Sequence, residues 1–176
     1  GLMRNIGKCS GVVAVAASDV FESKLDRFVG ETNKFNEENG LSHKVEGYHY
    51  YREMLERNDV DAVVIVTPDH WHAQMVVDAA KAGKDIYCEK PLSLTVAEGR
   101  AMVNATRKYD RVFQTGNMQR SWDGFRQAVE LVRNGYIGDV KEVNVSVGEP
   151  VKQCYLPAQD VPEGLDWNEW VGPSLY

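Results

Sequence analysis

The chain has 176 residues, of which 43% are hydrophobic and 26% are charged, an ordinary composition for a globular domain. Its net charge of −6 and its lack of a Lys/Arg run argue against a polyphosphate partner such as DNA or RNA. The longest apolar stretches, Val12–Ala17 and Ala62–Val66, are far shorter than the ~20 residues of a membrane-spanning helix, so we expect no membrane partner.

In the first half of the chain, two apolar runs predict buried strands. Val12–Ala17 is the first, and a polar, helix-compatible stretch follows it to about Glu38, with a turn at Asn39-Gly40. Tyr51–Arg57 has short helical character. The second run, Asp61–Thr67, is β-branched from Val63 to Thr67, which is typical of a parallel strand covered on both faces.

The second half continues the alternation of helices and strands. We predict helices from about His72 to Ala82, from Thr95 to about Tyr109 and over Phe125–Asn134, and strands over Asp85–Glu89, Arg111–Thr115 and Val140–Val147. Gly83 is placed as a helix C-terminal cap, and Thr95 and Glu98 have the spacing of a capping box. Residues 150–176 indicate irregular structure.

Strands that alternate with helices at ~25-residue spacing predict an α/β fold with a doubly wound, Rossmann-like parallel sheet. The half-exposed pattern after Gly138 indicates the start of a second α/β domain. We therefore predict a Rossmann-like domain over residues 1–118 and the beginning of a second domain over residues 119–176. The first strand and the glycine-rich loop of a Rossmann domain are missing from this pattern, and Gly1 is interpreted as the last glycine of that loop.

Ligands of open α/β sheets bind at the carboxyl ends of the strands. Four polar segments follow the predicted strands, and we expect them to meet along one rim. They are Asp19, Thr67–His72, Glu89–Pro91 and Gly116–Arg120.

Asp19 follows the first apolar run, where a carboxylate accepts hydrogen bonds from a ribose diol. Its charge would repel a 2′-phosphate, so NAD is favoured over NADP. The alternative interpretation makes Asp19 the N-cap of the following helix.

Lys90 and His72 each have a functional and a structural interpretation. Pro91 restricts Lys90, and a cation held there would orient a substrate hydroxyl and ease its deprotonation as hydride leaves. Alternatively, Lys90 is a surface residue in a salt bridge with Glu89. His72 either lines the cofactor crevice or caps the helix it begins.

No metal is predicted. The cysteines, Cys9, Cys88 and Cys154, are odd in number and widely spaced, so they indicate neither a disulfide framework nor a metal site. His70 and His72 flank Trp71, but no further ligands gather at a defined spacing.

The sequence resembles the Gfo/Idh/MocA family of oxidoreductases along essentially its whole length. The TP-x-x-x-H and EKP motifs, at Thr67–His72 and Glu89–Pro91, carry the most specific part of the resemblance. Further matching pieces are VVAVAASD (12–19), TGNMQRS (115–121), ELVRNGYIGDVKEV (130–143) and LDWNEWVGPS (165–174).

This resemblance implies an NAD(P)-binding Rossmann domain over residues 1–118, with Lys90 as the catalytic residue near the nicotinamide and substrate. It also implies that residues 119–176 begin a substrate and oligomerisation domain. The implied cofactor-binding residues, including those placed by position above, are Gly1, Asp19, Thr67, Pro68, His72, Glu89, Lys90, Pro91 and Asn117. Arg120 would lie on the substrate side.

The expected function is hydride transfer between NAD(P) and a secondary alcohol of a sugar, cyclitol or related compound. Two alternatives stay open: a glycoside hydrolase or lyase that uses NAD for a transient oxidation, and a non-catalytic dinucleotide-binding protein. We expect this chain to be an inactive part of a longer, homo-oligomeric enzyme. Low cysteine usage is typical of the cytoplasm, whereas an export signal in a preceding segment would direct the protein to the periplasm.

Overall fold

The computed structural model describes residues 9–150 and 152–174, which fall into two compact units. The first unit contains the described residues up to Gly116 together with those from Val161 onward, and the second contains the described residues of Asn117–Asp160. The domain boundaries predicted from the sequence, 1–118 and 119–176, stay a prediction.

The first unit begins with a two-stranded parallel sheet. Strand β1 (Ala16–Ser18) pairs with β2 (Glu46–Tyr48), with Ala17 opposite Gly47. Helix α1 (Glu22–Glu38) connects the two strands, and α2 (Tyr51–Leu55) follows β2.

A three-stranded parallel sheet follows, in the order β3-β4-β5. The strands are β3 (Ala62–Ile65), β4 (Asp85–Glu89) and β5 (Phe113–Gly116). Helices α3 (Asp69–Lys81) and α4 (Val96–Lys108) make the two crossovers. This alternation confirms the predicted Rossmann-like α/β class.

One hydrophobic core joins the strands to the helices. Val76 of α3 and Cys88 of β4 are completely buried in it, and Val15, just before β1, and Ala16, the first residue of β1, pack against the same core. Burying one such aliphatic side chain contributes about 1.5–3 kcal/mol. The strands and helices of this unit are therefore held together by one core.

The predicted helix ends at Thr95 and Gly83 are confirmed. Thr95 Oγ1 accepts a hydrogen bond from Glu98 N at 3.2 Å, while Glu98 Oε2 accepts one from Thr95 N at 3.0 Å, which completes a capping box. Gly83 has a φ of +76° after the C-terminus of α3, a conformation that favours glycine.

Several predicted bounds differ from the structure. β1 begins only at Ala16, and Val12 and Val13 are exposed instead of lying in a buried strand. β3 buries Val63 and Ile65 on one face and leaves Val64 on the other face 36% exposed, so the predicted coverage of both faces is wrong. The prediction that His72 caps a helix is wrong, because α3 begins at Asp69 after the N-cap Pro68.

The second unit contains a 3-10 turn (Met118–Ser121) and helix α5 (Asp123–Arg133), which Gly135 follows with a φ of +77°. The strand predicted over Val140–Val147 is absent, because no neighbouring strand in the described residues pairs with this exposed stretch. Residues 152–174 contain one short helix, α6 (Trp167–Val171), which belongs to the first unit. No helix in the described ranges has the length and apolarity to cross a membrane.

Candidate functional site

The three-stranded sheet brings together two of the loops predicted to form a rim. Its register places Ile65 opposite Cys88 and Glu89 opposite Gly116, so the three strands end at one edge. The loop that starts at Val66 and the loop that starts at Lys90 leave from that edge, which is where open α/β sheets bind ligands.

His72 connects these two loops, because its imidazole ring contacts a backbone carbonyl oxygen of each. Its side chain is buried, with 1% of the residue exposed, and its ring nitrogens lie near two backbone carbonyl oxygens: Nδ1 is 2.7 Å from Pro91 O and Nε2 is 3.0 Å from Thr67 O. A neutral imidazole has one N–H and donates to one of these oxygens at a time, whereas the imidazolium donates to both. The predicted contact of His72 with a cofactor stays a prediction.

In the Glu89-Lys90-Pro91 segment, the Glu89 side chain is hydrogen-bonded to the backbone of Lys90. Glu89 Oε2 accepts a hydrogen bond from Lys90 N at 3.2 Å, and the Lys90–Pro91 peptide bond is cis. The Lys90 side chain is exposed, and its ammonium makes none of the ion pairs in the described part of the chain. The alternative in which Lys90 forms a salt bridge with Glu89 is therefore not observed.

Asp19 lies directly after β1, as predicted. Its Oδ1 accepts a hydrogen bond from Phe21 N at 2.9 Å, and its own N–H donates to Tyr48 O at 3.3 Å. The N-cap of α1 is Phe21, so the alternative in which Asp19 is the N-cap is wrong. The carboxylate is instead held in the turn between β1 and α1.

Residues 161–174, called here the return segment, belong to the same unit. Leu165 forms an antiparallel bridge with Phe21, and Asp166 Oδ2 lies 3.0 Å from His49 Nε2. Trp71 Nε1 donates to Glu169 O at 2.9 Å. These contacts join residues 98 to 144 positions apart, and only the likeness of LDWNEWVGPS to a known family marked this segment in the sequence.

Burial raises the pKa of one acidic group of this unit, and local hydrogen bonds lower the pKa of another. Burial, and secondarily the charge of Glu89, raises the pKa of the Cys88 thiol to about 12. The pKa of Asp166 lies below its ordinary value because its carboxylate accepts hydrogen bonds from Glu169 N first and from His49 second.

Three predicted site residues remain: Asn117, Arg120 and Gly1. Asn117 and Arg120 are exposed residues of the second unit, where Arg120 N donates to Asn117 O at 3.0 Å. Gly1 lies outside the described residues. The roles predicted for these three residues stay predictions.

Parallel strands with helical crossovers, and polar loops at their carboxyl ends, define a nucleotide-binding α/β domain of the Rossmann class. Residues 12–117 match the profile described as "Oxidoreductase family, NAD-binding Rossmann fold" (GFO_IDH_MocA). The chain belongs to this family, as the resemblance implied.

The chain is similar in sequence to two relatives of known name. The chain is 31% identical to myo-inositol 2-dehydrogenase of Thermotoga maritima over 83% of its own length and 41% of that protein. It is 33% identical to 2,7-anhydro-N-acetylneuraminate hydratase of Mediterraneibacter gnavus over 49% of its own length and 23% of that protein.

Among solved structures, scyllo-inositol dehydrogenase from Lactobacillus casei with bound NAD(H) and scyllo-inositol superimposes with a TM-score of 0.62 at 31% identity. That match covers 77% of this chain and 38% of the dehydrogenase chain. This chain thus spans less than half the length of the relatives it matches.

Proposed function

We propose that this chain is the NAD-binding part of an oxidoreductase that transfers hydride between NAD and a secondary alcohol of a sugar or cyclitol. The observation that carries the proposal is the exposed ammonium of Lys90 at the carboxyl end of β4, on a loop that His72 ties to the loop after β3. Membership in an NAD-binding oxidoreductase family and likeness to inositol dehydrogenases support it.

Asp19 would bind the adenosine ribose. One of its oxygens accepts from Phe21 N, and an ionised carboxylate has further lone pairs for a ribose diol. A 2′-phosphate would bring like charge against this carboxylate, so the proposed cofactor is NAD and not NADP.

The loops after β3 and β4 would bind the rest of the cofactor. We assign backbone contacts to Thr67 and Pro68, whose loop His72 anchors, and we assign nicotinamide-side contacts to Glu89, Pro91 and Asn117. Arg120 is assigned to the substrate side.

Lys90 would act on the substrate hydroxyl. Bound NAD supplies the hydride acceptor for the carbinol carbon. The Lys90 ammonium would donate a hydrogen bond to the hydroxyl oxygen, which stabilises the negative charge that grows there as the carbon loses hydride. The acid or base that exchanges the hydroxyl proton with solvent is not assigned to any residue of this chain.

The test uses the gene product that contains this chain, together with Lys90→Met and the matched exposed-lysine control Lys44→Met. NADH and NADPH are titrated by fluorescence, and hydride transfer is followed at ~340 nm over a panel of sugars and cyclitols. Lys90→Met should slow hydride transfer by about 10²-fold or more with little change in NADH affinity, whereas Lys44→Met should match the wild type. Absence of NADH binding by the wild type would overturn the proposal.

A redox-neutral reaction is the second candidate, because a relative is named a hydratase. In that case NAD, held by Asp19 and the loops after β3 and β4, would serve as a transient hydride acceptor, so that elimination or addition on the substrate would leave no net change in the cofactor. Substrate turnover without growth of NADH absorbance would favour this candidate over net dehydrogenation.

A further inference from the structure

We propose that the return segment positions the adenosine end of the nucleotide site, with Asp166 and Gly172 as its positioning residues. The segment lies beyond residues 12–117, which match the family profile. The inference rests on the proposed binding of NAD.

The segment first holds the turn that follows Asp19. Asp166 N donates to Val20 O at 2.9 Å, and Glu22 N donates to Gly164 O at 2.9 Å. Between these two hydrogen bonds, Phe21 and Leu165 form an antiparallel bridge. Because Asp19 immediately precedes Val20 and its Oδ1 binds Phe21 N, these bonds fix the backbone that aims the proposed ribose ligand.

The segment next holds the loop after β2 through one carboxylate. Asp166 Oδ2 lies 3.0 Å from His49 Nε2, while Oδ1 of the same side chain accepts from Glu169 N at 3.1 Å and caps α6. The start of α6 and the loop after β2 are therefore set by a single residue.

The third contact is with the start of α3, beside the loop after β3. His70 Nε2 lies 2.8 Å from Trp170 O, and the Trp71 indole donates to Glu169 O. Gly172 permits this approach: a Cβ built on it would lie 2.1 Å from Trp71 Cζ2, and its φ is +47°. A residue with a side chain at this position would displace the Trp71 indole, and Trp71 as a whole is only 8% exposed.

One segment thus connects the elements that follow β1, β2 and β3. In a Rossmann-type site the acidic residue after the second strand of the fold, which corresponds to β1 here, binds the adenosine ribose. Asp19 therefore marks this end, and Lys90, directly after β4, marks the nicotinamide end. Loosening the return segment should therefore weaken recognition of the adenosine half selectively. A general loss of folding would weaken both halves.

The test compares binding of NADH, ADP-ribose and nicotinamide mononucleotide by the full chain. The variants are Asp166→Ala and Gly172→Ala, and the matched control is Glu163→Ala, which removes an exposed acidic side chain from the same segment. Asp166→Ala should weaken binding of NADH and ADP-ribose by about three- to tenfold, the loss expected for one charged hydrogen bond. Gly172→Ala should weaken binding of the same two ligands because its Cβ displaces the Trp71 indole. Neither variant should change the affinity for nicotinamide mononucleotide. Glu163→Ala should match the wild type for all three ligands.

If either alanine variant fails to fold, His49→Leu provides the second test, because it removes the contact with Asp166 and leaves the α6 cap in place. It should show the same selective loss. The inference would be overturned if the affinities for ADP-ribose and nicotinamide mononucleotide fell equally, or if folded variants kept the wild-type affinity for ADP-ribose. The proposed function would stand in both cases. A wild-type chain that does not bind NADH would overturn both.

Discussion

Gly116 lies directly against the side chain and backbone of Glu89. A Cβ built on Gly116 would be 2.7 Å from Glu89 Cα and Cδ and 2.8 Å from Glu89 Oε2, closer than real Cβ atoms approach their neighbours. The same oxygen accepts the hydrogen bond from Lys90 N. The absence of a side chain at Gly116 therefore leaves the space in which Glu89 fixes the backbone of the Lys90 loop.

Gly116→Ala should displace Glu89 and destabilise the first unit. Overpacking of this kind costs about 1–3 kcal/mol of unfolding free energy, measurable by urea denaturation. Gly30→Ala is the control, because a Cβ on this α1 glycine meets nothing within 4 Å. It should stabilise the protein by up to about 1 kcal/mol through helix propensity, and equal effects of the two substitutions would contradict the steric explanation.

His72→Leu should remove the connection between the loops after β3 and β4. Whichever of Thr67 O and Pro91 O accepts from the imidazole N–H would lose its donor, and an unsatisfied buried acceptor costs about 1–3 kcal/mol. His72→Gln retains an amide donor and should lose less stability in the same urea measurement. Equal stability of the two variants would show that hydrogen bonding by the His72 side chain does not stabilise the protein.

Cys88 should resist alkylation in the folded protein. Its residue is completely buried, and burial with the neighbouring Glu89 charge raises the pKa of its thiol to about 12, so little thiolate exists at pH ~8. Exposed Cys154 should react with iodoacetamide at an ordinary rate, and Cys88 should react only after urea unfolds the chain. Mass spectrometry of the labelled peptides distinguishes the two sites, and rapid native labelling of Cys88 would contradict this burial.

Asp166 should make stability depend on pH in the acid range. Its pKa is lowered by hydrogen bonds from Glu169 N and His49, so its contribution is present above the unfolded pKa of about 3.9 and is lost as pH falls through the lower folded value. The difference in unfolding free energy between wild type and Asp166→Asn should therefore shrink as pH falls from about 5 to about 2. A constant difference over that range would show that the Asp166 charge has no stabilising role.

The elements best predicted from the sequence are those whose signals are local. Thr95 and Glu98 sit three positions apart and cap α4, and Asp85–Glu89 was predicted with its observed bounds because apolar residues bounded by turns identify a buried strand. The fold class followed from the order of such elements.

Other features depend on distant partners. β2, Glu46–Tyr48, was not predicted, because its three residues form a strand only by pairing with β1. The valines at 140, 143, 145 and 147 alternate like a strand but have no pairing partner among the described residues. Of the predicted site, Asp19 and the Glu89–Pro91 loop follow their strands as expected, whereas the buried bridging position of His72 and the contact of Asp166 with His49 depend on tertiary packing.

The discontinuity of the first unit has a consequence for its synthesis. A ribosome that has finished Gly116 must translate residues 117–160 before Leu165, Asp166 and Gly172 exist. At ~5–20 residues per second that interval lasts about 2–9 s. During this time Trp71 and His49 of the nascent chain lack their partners from residues 164–172, so the nucleotide-binding unit is completed only after the intervening stretch has been made.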